Sequence, residues 1–325
     1  MNNFEWMEAK TVADAVAGMG GTSVAKAGGL DLLDRMKEGI SAPARLVNIR
    51  NVAGLELIRE EAKTGLHVGP LVTLAQLDAD ALVRSRYTAL AEAAGHAATP
   101  QIRNVATLGG NLLQRPRCWY FRSEDFHCLK KGGETCFAQE GENQYHAIFD
   151  NRLCAIVHPS ATATALVALG ARLELTGTAG KREVALEEFF VTPEQDVRRE
   201  SSIGDRELIT SVRVPPLASG ARSAYLKQGE KESFDWPLAD VAVVLEIKDG
   251  RCARASVVLG AAAPVPLRAR GAEDALTGKA VNEETARVAA KAAVRGATPL
   301  SQNGYKVPVF EAIVRRAILS ASQGS

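Results

Sequence analysis

The chain has 325 residues, of which 46% are hydrophobic and 24% charged, with a formal net charge of +1 at pH 7. That length buries an ample apolar core without disulfides, and the composition excludes a disordered or low-complexity protein. A near-neutral balance argues against a dedicated nucleic-acid or membrane-surface protein and leaves small molecules and other proteins as expected partners.

The N-terminal stretch "MNNFEWMEAKTVADAVAGMG" places acids where an export signal needs bases, and no later run reaches the length of a membrane span. The expected location is cytoplasmic, or periplasmic if a partner's export signal carries the folded protein. Val12, Ala15, Val16 and Met19 recur at helical spacing, with Thr11 as N-cap and Gly20-Gly21 as a stop. "SVAKAGGLDLLDRMKEG" reads as strand, tight turn and helix. "ARLVNIRNV" and "GLHVGPLVTL" predict further strands, and Leu77 to Ala94 a helix or two. After a cysteine-rich stretch, "AIVHP" predicts a strand, "TALVALGARLELTG" a helix running into a strand, and "REVALEEFF" a helix start. The strand in "ELITSVRVPPLASGAR" leads into a Pro/Gly/Ser stretch that sets a domain boundary near Pro216. Beyond it two strands flank the turn "KDGR", and three Ala-rich helices finish the chain. Strands and helices thus mix without the regular alternation of a doubly wound sheet.

Two glycine pairs sit where chemistry can use them. "AKAGGLDLL" (Ala25 to Leu33) and "NVATLGGNLL" (Asn104 to Leu113) each follow an apolar run with small residues, which lets backbone N–H groups approach a phosphate. Neither fits the dinucleotide fingerprint GxGxxG or the P-loop, and two tight turns are the plainer reading of the residues alone.

Four of the five cysteines, Cys118, Cys128, Cys136 and Cys154, fall in one stretch. Their spacing is too irregular for a zinc ribbon or finger, yet four thiolates are the usual complement of one [4Fe–4S] cube. With His127, His146 and His158 nearby, iron–sulfur and zinc are equally supported on spacing, ahead of disulfides or inert buried thiols.

Four segments in order, "AGGLDLL", "QIRNVATLGGNL", "AYLKQGEKESFDWPLADVAVVLEI" and "NGYKVPVFEAIVRRAI", span nearly the whole chain. Together they resemble the FAD-binding subunit of the molybdenum hydroxylases, the xanthine dehydrogenase family. The resemblance implies an α+β fold. Residues 1–216 would form a two-part FAD-binding domain of the vanillyl-alcohol-oxidase (PCMH) type, and residues 217–325 a smaller α+β domain similar to the C-terminal domain of CO dehydrogenase flavoproteins. It assigns the FAD pyrophosphate to a first loop, Lys26, Ala27, Gly28, Gly29, Leu30, Asp31 and Leu32, and a second, Thr107, Gly109, Gly110 and Asn111. Ile209 matches an apolar position beside the flavin ring, and Lys227 a lysine at the flavin, where a fixed cation stabilises negative charge near a reduced ring. Two positions depart from the pattern. Leu30 stands where the family usually has Thr, Ser or Gln, and Ala161 where relatives usually carry an FAD-binding Asp.

The resemblance also reads residues 112–157 as an insertion that, in a subset including bacterial aldehyde oxidoreductases and 4-hydroxybenzoyl-CoA reductases, carries an extra [4Fe–4S] cluster. The implied ligands are Cys118, Cys128, Cys136 and Cys154, with Cys252 a small core residue. "QRPRCWYFR" and "FHCLKKGG" look closest to the aldehyde oxidoreductase branch. On this reading the loop folds around its cluster. Arg115, Arg117, Arg122, Lys130 and Lys131 would offset the cluster's negative charge, while Trp119, Tyr120 and Phe121 shield it or meet a partner.

The function implied is electron transfer. Electrons from a molybdenum-binding large subunit and a [2Fe–2S] small subunit, in a heterotrimer or its dimer, would reach FAD here and then an external acceptor. No catalytic residue is assigned. One alternative is a self-contained FAD-dependent oxidase or dehydrogenase, which needs an acid/base residue over the flavin, and no His or Tyr stands in an obvious loop for it. Others are a zinc-stabilised binding module and the FAD/[4Fe–4S] subunit of a 4-hydroxybenzoyl-CoA reductase or xanthine dehydrogenase-type complex.

Overall fold

The computed structural model describes residues 1–231 and 234–323. Strand β1 (Glu5–Glu8), helix α1 (Val12–Gly18), β2 (Ser23–Lys26), α2 (Leu30–Lys37) and β3 (Arg45–Asn48) make an N-terminal unit in which β3 runs parallel between β1 and β2. Thr11 caps α1 as expected. Its hydroxyl accepts the Asp14 N–H while the Asp14 carboxylate accepts the Thr11 N–H, so orphan donors are satisfied at both ends of a capping box. Val16, Met19, Val47 and Ile49 bury the apolar faces of this unit.

A second unit begins with β4 (Ile58–Glu61) and β5 (Gly65–Val68), then five helices: α3 (Leu74–Ala79), α4 (Ala81–Arg86), α5 (Thr88–Gly95), α6 (Pro100–Arg103) and α7 (Leu108–Leu112). The cysteine-bearing insertion follows, with only the short α8 (Trp119–Arg122) and a 3₁₀ turn at Leu129–Lys131. The chain returns through α9 (Ala161–Ala168), β6 (Arg172–Gly177), β7 (Gly180–Ala185), α10 (Leu186–Phe189) and β8 (Glu207–Val214). These strands form an antiparallel sheet in the order β4-β5-β8-β6-β7.

The third unit is an antiparallel sheet, β12-β11-β10-β9, built from β9 (Ala221–Gln228), β10 (Ala239–Lys248), β11 (Arg251–Gly260) and β12 (Leu267–Arg268). It carries α11 (Arg270–Leu276), α12 (Glu283–Ala293) and α13 (Lys306–Gln323). Alternation along the strands splits this sheet between two cores. Tyr225, Ala242, Val244 and Val258 join the second unit's core with α5 and α9, whereas Ala224, Val241, Val243, Val257 and Leu259 pack with α11, α12 and α13. The third unit is therefore seated on the second through an apolar face. No described helix is long and apolar enough to cross a membrane.

Several expectations change. Residues 155–159 ("AIVHP") are not a strand: Ala155 O accepts from Ala147 N–H and His158 N–H donates to Ala263 O, partners in two different places. "REVALEEFF" is divided between β7 and the four-residue α10. The stretch Leu77 to Ala94, expected as a helix or two, takes in three: it breaks at Asp80, which ends α3 and whose carboxylate caps α4, and again at Tyr87 between α4 and α5.

Candidate cofactor cleft and cysteine chamber

A cleft of 590 Å³ lies where β2, α2, α7, β8 and β9 meet. On one wall, β2 ends in Gly28-Gly29. Gly29, at φ 84, turns the chain into α2 with no side-chain cap, so the first N–H groups of the helix remain free for a ligand. Gly28 lies against the second loop so closely that a Cβ there would stand 2.3 Å from Val105 O. The two loops touch backbone to backbone. On the second, Thr107 Oγ1 accepts from Gly110 N–H at 3.2 Å, and a Cβ at Gly109 would stand 2.9 Å from Pro70 Cβ. Asn111 Oδ1 accepts from Ser160 Oγ and Thr162 Oγ1, each at 2.6 Å, which orients the amide and leaves Nδ2 as a donor.

All the positions assigned to FAD come together here: Lys26 through Leu32, Thr107, Gly109, Gly110, Asn111, Ile209 and Lys227 line the one cleft. Ile209 is buried in β8. Lys227 donates from Nζ to His96 O at 3.0 Å, and burial lowers its pKa. Leu30 is 41% exposed, and Ala161 lines the cleft at the start of α9.

Sequence reasoning missed four further lining residues, His96, Tyr225, Arg117 and Trp236. The His96 and Tyr225 rings lie 6.5 Å apart, and the Arg117 guanidinium sits over the Trp236 ring at 5.0 Å. These residues come from segments far apart in the chain. The one available signal is that Tyr225 stands two residues before Lys227 and so shares its strand face.

Asp31, in the first loop, ties the cleft to the cysteine insertion. Its carboxylate accepts from Arg35 at 3.0 Å, Arg117 at 3.0 Å and Arg122 at 2.6 Å. Burial alone pushes its pKa up, but Arg117, Arg35 and Arg122 together hold it below the carboxylate range. Nearby, Glu200 takes Arg115 at 2.8 Å and Lys130 at 2.7 Å. Of the cations expected to offset a cluster's charge, Arg115, Arg117 and Arg122 pair with carboxylates and staple the insertion in place. Lys130 alone among them also lines the chamber described next.

Cys118, Cys128, Cys136 and Cys154 line one chamber with Tyr120, Phe121 and His146. All are free thiols. Burial pushes Cys118 up to about 12. Cys136 is held down because it accepts the Cys154 S–H and backbone N–H groups, and Cys154 is pushed up as the donor. His146 Nε2 lies 3.2 Å from Cys118 Sγ, and burial lowers its pKa to about 4, so the ring is neutral. His127 is exposed, and the His158 ring packs 4.3 Å from Phe190, away from the thiols. Tyr120 packs edge-on to Phe126 at 4.9 Å and Trp119 edge-on to His146 at 5.4 Å, giving the chamber an aromatic shell. The space enclosed is 10 Å³, room for about one water. Among the described residues, no three His, Cys, Asp or Glu side chains form a ready shell around a metal ion. Cys252 is fully buried in the third unit's core, as expected.

The insertion is braced from outside as well as by its thiols. Asn303 Nδ2 donates to His146 O and Ala147 O, both at 3.1 Å, Lys306 Nζ donates to His146 O at 3.0 Å, and Asn151 Nδ2 donates to Thr298 O at 2.7 Å. The expected loop folded around a cluster alone is therefore also pinned to the third unit.

Comparison with known proteins places these features in context. Residues 2–217 match the family model described as the FAD binding domain in molybdopterin dehydrogenase, and residues 224–321 the CO dehydrogenase flavoprotein C-terminal domain. The chain is 33% identical over 312 residues to the aldehyde oxidoreductase FAD-binding subunit PaoB of Escherichia coli strain K12, covering 94% of each chain. It is 29% identical over 325 residues to the carbon monoxide dehydrogenase medium chain of Hydrogenophaga pseudoflava, covering 98% of this chain and 96% of that one. Among solved structures, the reconstituted CO dehydrogenase from Oligotropha carboxidovorans superposes with a TM-score of 0.78 at 26% identity, over 100% of this chain and 99% of that chain.

Proposed function

Because this chain belongs to the FAD-binding subunits of the molybdenum hydroxylases, we propose that it holds one FAD non-covalently in the cleft and serves as the flavin subunit of an aldehyde oxidoreductase. The observation that carries this reading is the pair of glycine loops in backbone contact, a cradle that a Cβ at Gly28 would fill. The free N–H groups at the start of α2 and the Thr107–Asn111 turn suit a pyrophosphate, Ile209 gives the ring an apolar wall, and Lys227 places a cation beside it. Leu30 and Ala161 offer no hydrogen bond, so backbone N–H groups and Asn111 carry the polar recognition. No His or Cys lies in either glycine loop to tether the flavin covalently.

The chamber fits an iron–sulfur cluster by its donor set: four free thiols in an apolar, aromatic-walled space, with Lys130 as the nearby cation. A [4Fe–4S] cube ligated by Cys118, Cys128, Cys136 and Cys154 would part the thiols, since the present space is small. Bound FAD and cluster supply the electron-storing chemistry; the protein's part is to hold, orient and insulate them. The partners on this reading are a molybdenum-binding large subunit and a [2Fe–2S] small subunit, in keeping with relatives described as a medium chain and as a FAD-binding subunit. Residues 1–216 and 217–325 act as the flavin-binding and C-terminal units.

The test is an absorption spectrum of anaerobically purified chain with flavin, iron and zinc analysis. One flavin, released by acid precipitation, and iron near four per chain are expected. Stoichiometric zinc with little iron would overturn the cluster, and a chain without flavin would overturn the cleft assignment. His96 and Tyr225 in the cleft favour one second reading, a self-contained flavoenzyme with its own acid/base pair.

A further inference from the structure

Behind the cleft wall lies a buried carboxyl that the function described so far does not use. Asp240 is 2% exposed. In the ladder it stands between Lys227 on β9 and Gly260 on β11, and a Cβ at Gly260 would lie 1.7 Å from Asp240 Oδ1. The bare glycine makes a slot for the carboxyl. Cross-strand partners share a sheet face, so Asp240 projects to the same side as Lys227 and Tyr225, both of which line the cleft. Asp240 Oδ1 and Tyr225 Oη are both buried without a hydrogen-bond partner of good geometry, and each bears on the other's ionisation. Two such orphans against a ligand cleft call for an explanation, because leaving buried polar groups unpaired is costly.

Resting on the reading of the cleft as the flavin site, we propose that Asp240 is a positioning residue whose carboxylate, walled in behind Tyr225, keeps the Lys227 ammonium charged at the cleft wall. The charge that the cleft presents to its cofactor then depends on whether Asp240 holds a proton. Burial raises Asp240 to about 7, opposed by Thr164 on α9, by Lys227 and Tyr225 on β9 and by Lys306 on α13. Burial lowers Lys227, and Asp240 and Asp235 oppose that while Arg103 reinforces it. His96, whose carbonyl holds the Lys227 ammonium, is itself pushed down by burial and by Lys227, so it adds no second cation near neutral pH. Asp240 is the fully buried anion of this set, and Asp235 sits toward the surface.

The test is NMR titration of the full-length chain carrying ¹³Cε-labelled lysine, the Lys227 signal being assigned by its loss in Lys227→Arg. In Asp240→Asn the Lys227 midpoint should fall by about one pH unit or more, and Asp240→Glu should recover part of the difference. In the wild-type chain the same signal should show a second inflection near pH 7 as Asp240 titrates, a readout that needs no variant to fold. An unmoved midpoint in a folded Asp240→Asn, or no inflection in the wild type, overturns the proposal. The signal is readable with or without FAD, so a chain that fails to bind flavin would sink the function proposed for the cleft and leave the Asp240–Lys227 coupling to be judged separately.

Discussion

Gly28 has no room for a side chain: the Val105 carbonyl occupies the place of its Cβ. Gly28→Ala should therefore push the two loops apart and weaken FAD binding about tenfold or more, the equivalent of about 1.4 kcal/mol, in a flavin-fluorescence titration. Gly296→Ala is the control. It has φ +85 in open space, so it should cost about 1 kcal/mol of stability and leave FAD affinity unchanged. Lys306 and Asp240 set a second residue-level expectation. Burial lowers Lys306 to about 7 and raises Asp240 to about 7. Between about pH 4 and 7 the folded chain keeps a proton on Asp240 that the unfolded chain releases, so this group's contribution falls as pH rises. Between about pH 7 and 10 the unfolded chain keeps a proton on Lys306 that the folded chain has lost, so stability rises again. Urea-unfolding midpoints across this range should dip near pH 7 on account of these groups. In Lys306→Met the recovery above pH 7 should be missing.

At the scale of elements, the insertion has little regular secondary structure, so its order rests on side-chain ion pairs and hydrogen bonds. On the cluster assignment proposed above, replacing Cys118, Cys128, Cys136 or Cys154 by Ser should lose bound iron, while Cys252→Ser keeps it, and iron analysis checks each variant. Asp31→Ala leaves Arg35, Arg117 and Arg122 without their shared carboxylate, which should cost about 2 kcal/mol in urea unfolding and make the insertion more sensitive to protease. Elements with their own punctuation were readable in advance: α1 by its Thr11 cap, α2 by the glycine turn, and the β10–β11 hairpin by Asp249-Gly250. β4, "IREE", was not, because four residues with an acidic end carry no strand signal of their own and take their order from pairing with β5. "AIVHP" misled in the other direction: an apolar run whose hydrogen bonds go to scattered loops has strand composition without a strand partner. In the site, contiguous loops were legible and convergent residues were not, since nothing local ties His96 or Arg117 to Lys227.

For the whole molecule, the sheet shared by two cores predicts one cooperative unfolding transition, and a fragment of residues 1–216 should not fold, because α5 and α9 lose the apolar cover of Tyr225, Ala242, Val244 and Val258. Coincident circular dichroism and flavin-fluorescence melts check the first point, and expression of the fragment the second. The complete chain in isolation should not oxidise aldehyde. Anaerobic aromatic aldehyde should leave its flavin absorbance unbleached until molybdenum and [2Fe–2S] subunits are added, and bleaching without them would favour the His96–Tyr225 reading. The Asp31 knot also has a consequence in time. Asp31 leaves the ribosome long before Arg122, its partner 91 residues later. During synthesis the carboxylate of the first glycine loop waits for two of its three arginines, Arg117 and Arg122, so the loop gains its full set of ion pairs only once the insertion has been made and has docked.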